Sequence, residues 1–327
     1  MMYCDNKKRN RSIFLQERCQ LQGLHPPKVL LLDGGFGREL HFRGVEVPQT
    51  IWSAGALITA PEVVQQIHLD YIFAGADVIT TNTYGLIRSE LSKEGIEEHF
   101  AALNTLACRL AVKAREKSSR DVMIAGSLPP LGGSFRPDLV GPPAELEALY
   151  HEQAKLLAPH VDLLLCETMS TAAEGYAAVK AACRTGKPVW VAWTLHEDRS
   201  GNLRSGESID DAMAALEGLP VDGCLANCCS PESITNAISQ MVRSGVRWIG
   251  GYANTFTAIP DDWVLDGKKD TDGLLSLRSD LDPDSYAVHV RHWLVAGATV
   301  VGGCCGTRPA HTAAMRAVID EACSHST

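Results

Sequence analysis

Thr299-Val300-Val301-Gly302-Gly303-Cys304-Cys305-Gly306 is the stretch on which the reading of this chain turns. It begins as a short β-branched apolar run, the pattern of a parallel strand buried on both faces. It ends in glycines and two adjacent thiols, where a strand must give way to a turn. Upstream, seven further runs of the same kind occur, at 29–33, 77–81, 122–127, 163–167, 189–195, 223–228 and 248–253. With 299–303 they make eight. Amphipathic helical patterns lie between and after them, at 61–74, 101–117, 144–158, 172–185, 209–216, 231–244, 285–296 and 310–323. The first is typical, with Val63, Val64, Ile67, Leu69, Tyr71 and Ile72 as its apolar set. Eight βα units predict a single closed (β/α)8 TIM barrel rather than an open doubly wound sheet. No Gly-x-Gly-x-x-Gly fingerprint follows the first run, which argues against dinucleotide binding.

The bulk properties agree. At 327 residues the chain holds a barrel of roughly 250 residues plus insertions. The barrel is expected over 28–323. Residues 1–27 are polar and basic, with Lys7, Lys8, Arg9, Arg11 and Arg18, and read as a flexible extension without secretory character. A net charge of −9 argues against nucleic acid as partner. No apolar run reaches the length of a membrane span. Eleven cysteines, an odd number without a small-scaffold spacing, argue against a disulfide framework and for a reducing cytoplasm. Cys108 and Cys183 sit in helical runs and read as small core residues. Homo-oligomerisation is left open.

Barrel enzymes carry their chemistry at the C-terminal ends of the strands. Those ends read Asp33-Gly34-Gly35, Thr81-Asn82-Thr83-Tyr84, Ser127, Glu167-Thr168, Asn227-Cys228-Cys229, Tyr252-Ala253-Asn254 and Gly302-Gly303-Cys304-Cys305-Gly306. Three thiolates form a soft zinc site with one position to spare. Cys228 ends the sixth run, and Cys304 and Cys305 end the eighth, so one mouth brings them together. Adjacent residues on a strand point to opposite faces, so Cys304 and Cys305 require an irregular turn, which the flanking glycines permit. Alternation also puts Cys224 on the face of Cys228 but deeper, and turns Cys229 away. The competing reading of the adjacent cysteines is an incidental or structural pair.

These motifs resemble the homocysteine S-methyltransferase family along nearly all of 28–319. The resemblance rests on Asp33-Gly34-Gly35, on Ala74-Gly75-Ala76-Asp77 leading to Thr81-Asn82-Thr83-Tyr84, and on Glu167-Thr168. It rests most specifically on Asn227-Cys228 followed by Gly302-Gly303-Cys304-Cys305-Gly306-Thr307 with Pro309 and His311. It implies that Cys228, Cys304 and Cys305 bind Zn2+ and that homocysteine sulfur completes the tetrahedron. Asp33, Gly34, Gly35 and Glu167 would then hold the amino-acid end of homocysteine. A turn or cap role for Asp33 and a buried ion pair with a neighbouring helix for Glu167 are the structural alternatives.

What the resemblance implies chemically is methyl transfer from a sulfonium, S-methylmethionine or S-adenosylmethionine, to a metal-held thiolate, forming methionine. The departing thioether is neutral, so no general acid is needed. The partners are small molecules. Trp52, Tyr84, Asn227 and Asn254 are the candidates for the methyl-donor side, the aromatic pair because a cation favours aromatic faces. His68 and His151 read as helix residues with structural hydrogen bonds, and His311 as orienting the metal turn. The loop at 127–134 and the stretch Tyr252-Ala253-Asn254-Thr255 depart from the family pattern, which leaves the donor open. A betaine-dependent or other thiol methyltransferase, and a non-catalytic barrel with structural zinc, are the alternatives.

Overall fold

Eight strands form where the apolar runs predict them. In the computed structural model, which describes residues 29–46, 51–261 and 275–324, β1 is Leu30–Leu31, β2 Val78–Thr80, β3 Met123–Leu128 and β4 Leu163–Met169. Then come β5 Val189–Trp193, β6 Gly223–Asn227, β7 Trp248–Ala253 and β8 Val300–Gly303. The principal helices are α1 Pro61–Phe73, α2 Phe100–Ser118, α3 Pro143–Leu157 and α4 Ala172–Cys183, followed by α5 Ile209–Ala214, α6 Pro231–Met241, α7 Pro283–Ala296 and α8 Pro309–Ser324. The extension expected at 1–27 lies outside the described residues, as do 262–274 of the long seventh loop.

All strand pairs are parallel, in the order β1-β8-β7-β6-β5-β4-β3-β2. The remaining seam is closed by a parallel bridge between Leu32 and Val78. Two backbone bonds flank it, from Asp77 N to Leu31 O at 2.7 Å and from Asp33 N to Val78 O at 3.0 Å. The result is a single (β/α)8 barrel.

Strand alternation sorts the side chains into two cores. Leu30, Leu32, Val78, Ala125, Leu163, Leu165, Trp190, Ala192, Leu225, Tyr252 and Val300 fill the barrel interior. Their neighbours Leu31, Ile79, Ile124, Leu164, Cys166, Val191, Cys224, Ala226 and Val301 pack outward against the helices. The interior is thus a packed plug, as in barrels generally, and a ligand can enter only at the ends of the strands.

The helices start sharply because their first turns are capped. Thr171 accepts the Glu174 N–H at 3.0 Å to begin α4, and Asp282 accepts the Ser285 N–H at 2.8 Å to begin α7. Ser230 caps α6, with Pro231 at its first position. That cap leaves only Cys228 and Cys229 between the end of β6 and the helix, so the chain must turn abruptly there. Among the described residues, no helix is long and apolar enough to cross a membrane.

Candidate metal and substrate site

The abrupt turn after β6 decides where the first thiol points. Cys224 and Ala226 face the helix layer, so strict alternation would send Cys228 outward with them. Instead Cys228 adopts φ +50° and swings over the barrel mouth. This corrects the expectation that Cys224 and Cys228 share a face. Cys224 and Cys229 are buried in the helix-facing core. Alternation does not select Cys228; a left-handed backbone does. Its N–H donates to Tyr252 O at 3.1 Å and its carbonyl accepts from Thr194 Oγ1 at 3.3 Å, which fixes the turn.

The other two thiols sit in the turn after β8, as expected. Gly306 at φ +82° reverses the chain, and a Cβ there would lie 2.1 Å from Thr255 Oγ1. Gly35 allows the β1 loop to lie directly on this turn, since a Cβ would come within 2.8 Å of Cys304 O and 3.2 Å of Cys305 Cα. The ligand atoms of Cys228, Cys304 and Cys305 all lie within 4.8 Å of one another, and Cys228 Sγ is 3.7 Å from Cys305 Sγ. Three convergent sulfurs suit a soft divalent ion and leave room for a fourth ligand. Hydrogen bonds from Cys228 and Cys304 hold the Cys305 thiol well below its usual range, while the Cys228 and Cys304 thiols stand well above theirs, so one thiolate is shared against two thiols.

A cavity of about 410 Å³ opens above the sulfurs. Asp33 and Glu167 both line it. Asp33 bridges the β1–β2 seam, accepting from Thr80 N at 2.7 Å and from Thr80 Oγ1 at 3.0 Å. Glu167 accepts from Ser127 Oγ and, at 3.1 Å, from the Tyr252 hydroxyl. Among the described residues it forms no ion pair with a helix. Burial pushes both carboxyls up to about 7 despite these bonds, and the Glu167 charge adds to the rise at Asp33. The site thus holds carboxyls that ionise readily when a cation arrives. The Gly35 N–H is engaged by Thr307 Oγ1 at 3.3 Å, and the Gly35 carbonyl accepts from the Tyr71 hydroxyl at 2.8 Å.

Trp52 and Tyr84 also line the cavity, with the Tyr84 hydroxyl 2.7 Å from Ser134 Oγ. Asn227 and Asn254 do not. Asn227 bonds Thr168 instead, and Asn254 Oδ1 accepts the Phe256 N–H at 3.1 Å. His151 makes the expected structural bond, Nδ1 to Ala181 O at 3.2 Å. His68 does not: neither ring nitrogen has a partner, and the buried ring packs on Phe36 at 4.7 Å. His311 ties the start of α8 to the seventh loop, with Nε2 3.1 Å from Leu281 O.

Sequence reasoning missed an apolar cover. Phe135, Phe256 and Ile259 pack with Cys228 in one buried cluster that also touches Leu275, Leu277, Cys304 and Cys305. Arg204 holds it in place. Its side chain is 1% exposed, Nη2 donates to Ile259 O at 2.6 Å and pairs with Asp261 at 3.2 Å, and the guanidinium lies 5.9 Å from the Phe135 ring centre. Arg38 does the same from the first loop, donating to Leu275 O with its guanidinium 5.9 Å from the Phe256 ring centre. A lone aromatic in the Gly/Pro-rich third loop was the available signal for Phe135. Six non-glycine residues among those described have positive φ, and four of them, Trp52, Phe135, Thr168 and Cys228, line this cavity. Each costs about 1–3 kcal/mol, and such strain concentrates at functional sites.

The fold and site together describe a (β/α)8 barrel whose mouth brings three thiols that could hold a soft metal ion beside two buried carboxyls. The comparisons with known proteins narrow that description. The profile of the homocysteine S-methyltransferase family matches residues 30–319, and the chain belongs to that family. It is 30% identical over 310 residues to the homocysteine S-methyltransferase of Escherichia coli K12, covering 88% of this chain and 94% of the relative. It is 28% identical over 317 residues to the selenocysteine methyltransferase of Astragalus bisulcatus, covering 86% and 90%. The metallated form of the homocysteine methyltransferase MmuM from Escherichia coli superimposes with a TM-score of 0.75 at 28% identity, over 92% of this chain and 99% of that one.

Proposed function

We propose that this protein methylates the sulfur of L-homocysteine from a sulfonium donor, S-methylmethionine or S-adenosylmethionine, to form methionine, with Zn2+ held by Cys228, Cys304 and Cys305. The observation that carries this reading is the convergence of three thiols, within 4.8 Å of one another, beneath a cavity walled by Asp33 and Glu167. Bound zinc would supply the positive charge that keeps a substrate thiol deprotonated near neutral pH.

The chain's own groups do the rest. Glu167, aimed by Ser127 and Tyr252, and Asp33, aimed by Thr80, meet the ammonium of the acceptor. Gly34 lines the same cavity, and its amide is the group proposed for the acceptor's carboxylate. Trp52 and Tyr84 present aromatic faces to the sulfonium. Phe135, Phe256 and Ile259 keep water from the sulfurs. The methyl group passes from the positively charged donor sulfur to the acceptor thiolate. The bond to the donor breaks with its electron pair staying on that sulfur, the donor leaves as a neutral thioether, and the acceptor's thiol proton goes to solvent. No side chain has to move a proton in this step. The protein's share is alignment and exclusion of water.

Cys224 and Cys229 point into the helix-facing core, which supports a fourth metal position open to substrate rather than closed by protein. The nine free thiols among the described residues suit a cytoplasmic setting. Zinc-edge absorption with and without homocysteine tests the reading, together with a donor panel of S-methylmethionine, S-adenosylmethionine and betaine. A new sulfur in the metal shell and methionine formed from a sulfonium are expected. An unchanged shell of four protein ligands, or transfer from betaine alone, refutes it.

A further inference from the structure

Asn227 is fully buried at the last position of β6, and both ends of its amide leave the strand. Oδ1 accepts the Thr168 backbone N–H at 2.9 Å, and Nδ2 donates to Thr168 Oγ1 at 2.8 Å. Thr168 belongs to β4, so the side chain reaches past β5. This is the alternate-strand layering of a barrel interior, used here for a polar staple instead of a packing contact.

The residue it holds is unusual. Thr168 has φ +63°, a conformation that crowds a β-branched side chain against its own backbone. The pairing of β4 with β5 breaks between Cys166 and Met169, so the ladder gives the Thr168 N–H no partner. The Asn227 amide supplies one. The residue before Thr168 is Glu167, and the residue after Asn227 is Cys228, itself at φ +50°. One side chain therefore joins the strained turn behind the carboxylate to the strained turn behind the thiol.

We propose that Asn227 is a positioning residue. It holds Thr168 in the left-handed backbone that aims Glu167 into the cavity, and it anchors the strand end from which Cys228 turns over the mouth. The inference rests on the reading that Glu167 meets the acceptor's ammonium and that Cys228 holds zinc. Asn227 touches neither substrate nor metal.

The test exploits glycine, which takes positive φ without the steric cost borne by threonine. In a Thr168→Gly background the staple is no longer needed to hold that backbone. Wild type, Asn227→Ala, Thr168→Gly and the double variant are compared by two measurements. Homocysteine binding is followed by calorimetry at saturating zinc without methyl donor, and zinc affinity by chelator competition without homocysteine. Loss of the staple should weaken homocysteine binding about tenfold in the wild-type background. In the Thr168→Gly background the same substitution should cost less than about threefold. Zinc affinity should fall in Asn227→Ala in both backgrounds. An equal loss of homocysteine affinity in the two backgrounds overturns the proposal, as does unchanged zinc affinity in Asn227→Ala.

An insoluble Asn227→Ala beside a soluble double variant supports the same account. Where neither folds, Asn227→Asp decides, because it keeps the acceptor for the Thr168 N–H but loses the donor: partial rescue of its homocysteine affinity by Thr168→Gly supports the staple, and no rescue sinks it. Should wild type bind zinc but not homocysteine, the reading of the acceptor fails, and the zinc measurement alone judges Asn227.

Discussion

Replacing Gly35 by Ala adds one methyl group at the point where the β1 loop lies on the turn bearing Cys304 and Cys305. Its Cβ would sit 2.8 Å from Cys304 O, 3.1 Å from Gly306 N and 3.2 Å from Cys305 Cα, against 3.4 Å for ordinary contact. All three are backbone atoms, so no rotamer change relieves them. The loop cannot retreat easily, because the Gly35 N–H is tied to Thr307 and its carbonyl to the Tyr71 hydroxyl. The displacement therefore falls on the thiol turn. Overpacking of this kind costs about 1–3 kcal/mol. Taken entirely at the metal site, that is about a 5- to 150-fold loss of zinc affinity. The assay is chelator competition for zinc, with thermal melting of the metal-free protein in parallel. In a chain of this size the same energy lowers Tm by only a few degrees, about 1.5 °C per kcal/mol. The expected signature is a large metal defect with a small stability defect. Zinc affinity within about threefold of wild type, or a collapse in Tm with unchanged zinc affinity, would show that the turn does not take the strain.

Cys228→Ser, Cys304→Ser and Cys305→Ser should each abolish stoichiometric zinc and methyl transfer, whereas Cys224→Ser and Cys229→Ser should keep both; zinc per chain by mass spectrometry and methionine formed check this. Glu167→Gln should change the pH dependence of the metal-free protein. The folded carboxyl sits at about 7 against an ordinary 4.5, so the stability tied to its neutral form is fully present below pH 4.5 and is lost as pH rises to about 7. Urea unfolding across that window should show a shallower decline in the variant, and an identical slope would mean that Glu167 titrates normally. Arg204→Met should destabilise the fold by about 1.5–3 kcal/mol, the cost of losing a charge-assisted bond to the buried Ile259 carbonyl, because Asp261 and Glu197 remain within reach of water. It should also speed the reaction of Cys228 with a thiol reagent in metal-free protein; unchanged thiol reactivity would remove Arg204 from the cover over the site.

The eight strands and eight main helices were legible from their apolar runs, the six-residue α5 only through the longer pattern at 209–216 around it, and the ends differ by up to three residues. The helices Gly37–Phe42, Ala56–Thr59 and Arg88–Lys93 were not, since four to six residues carry no helical repeat. The site was legible where residue type and strand-end position coincide, as at Cys228, Cys304, Cys305, Asp33 and Glu167. It failed where geometry departs from the period. Alternation assigned Cys228 and Cys224 to one face, and a single positive φ separated them. Asn227 was read from its place beside Cys228 as a donor-side group, but its amide is spent on a residue 59 positions away in the chain. Arg204, Phe135 and Ile259 come from three different loops and meet only in space, so no local pattern marks them.

The ionisable groups of the cavity explain why it should accept the occupants proposed for it. Three thiols and two carboxyls converge there, and all five cannot be ionised together in a buried space without compensating positive charge. Arg38 is the cation whose field reaches Cys305, and its side chain is engaged with Leu275 and the face of Phe256. Burial raises both Asp33 and Glu167, the Glu167 charge adds to the rise at Asp33 and the Cys305 charge to that at Glu167, and the Cys228 and Cys305 sulfurs lie 3.7 Å apart. A divalent ion on the sulfurs and an ammonium between the carboxyls each replace protons with fixed charge. On the proposed reading the metal and the ammonium therefore both meet this set of groups as cations. On the same reading such a site would favour a cationic methyl donor over a neutral one. The proposed transfer would then call for aromatic walls and a dry cover rather than a general acid, and the loops bring aromatic and apolar groups to the mouth.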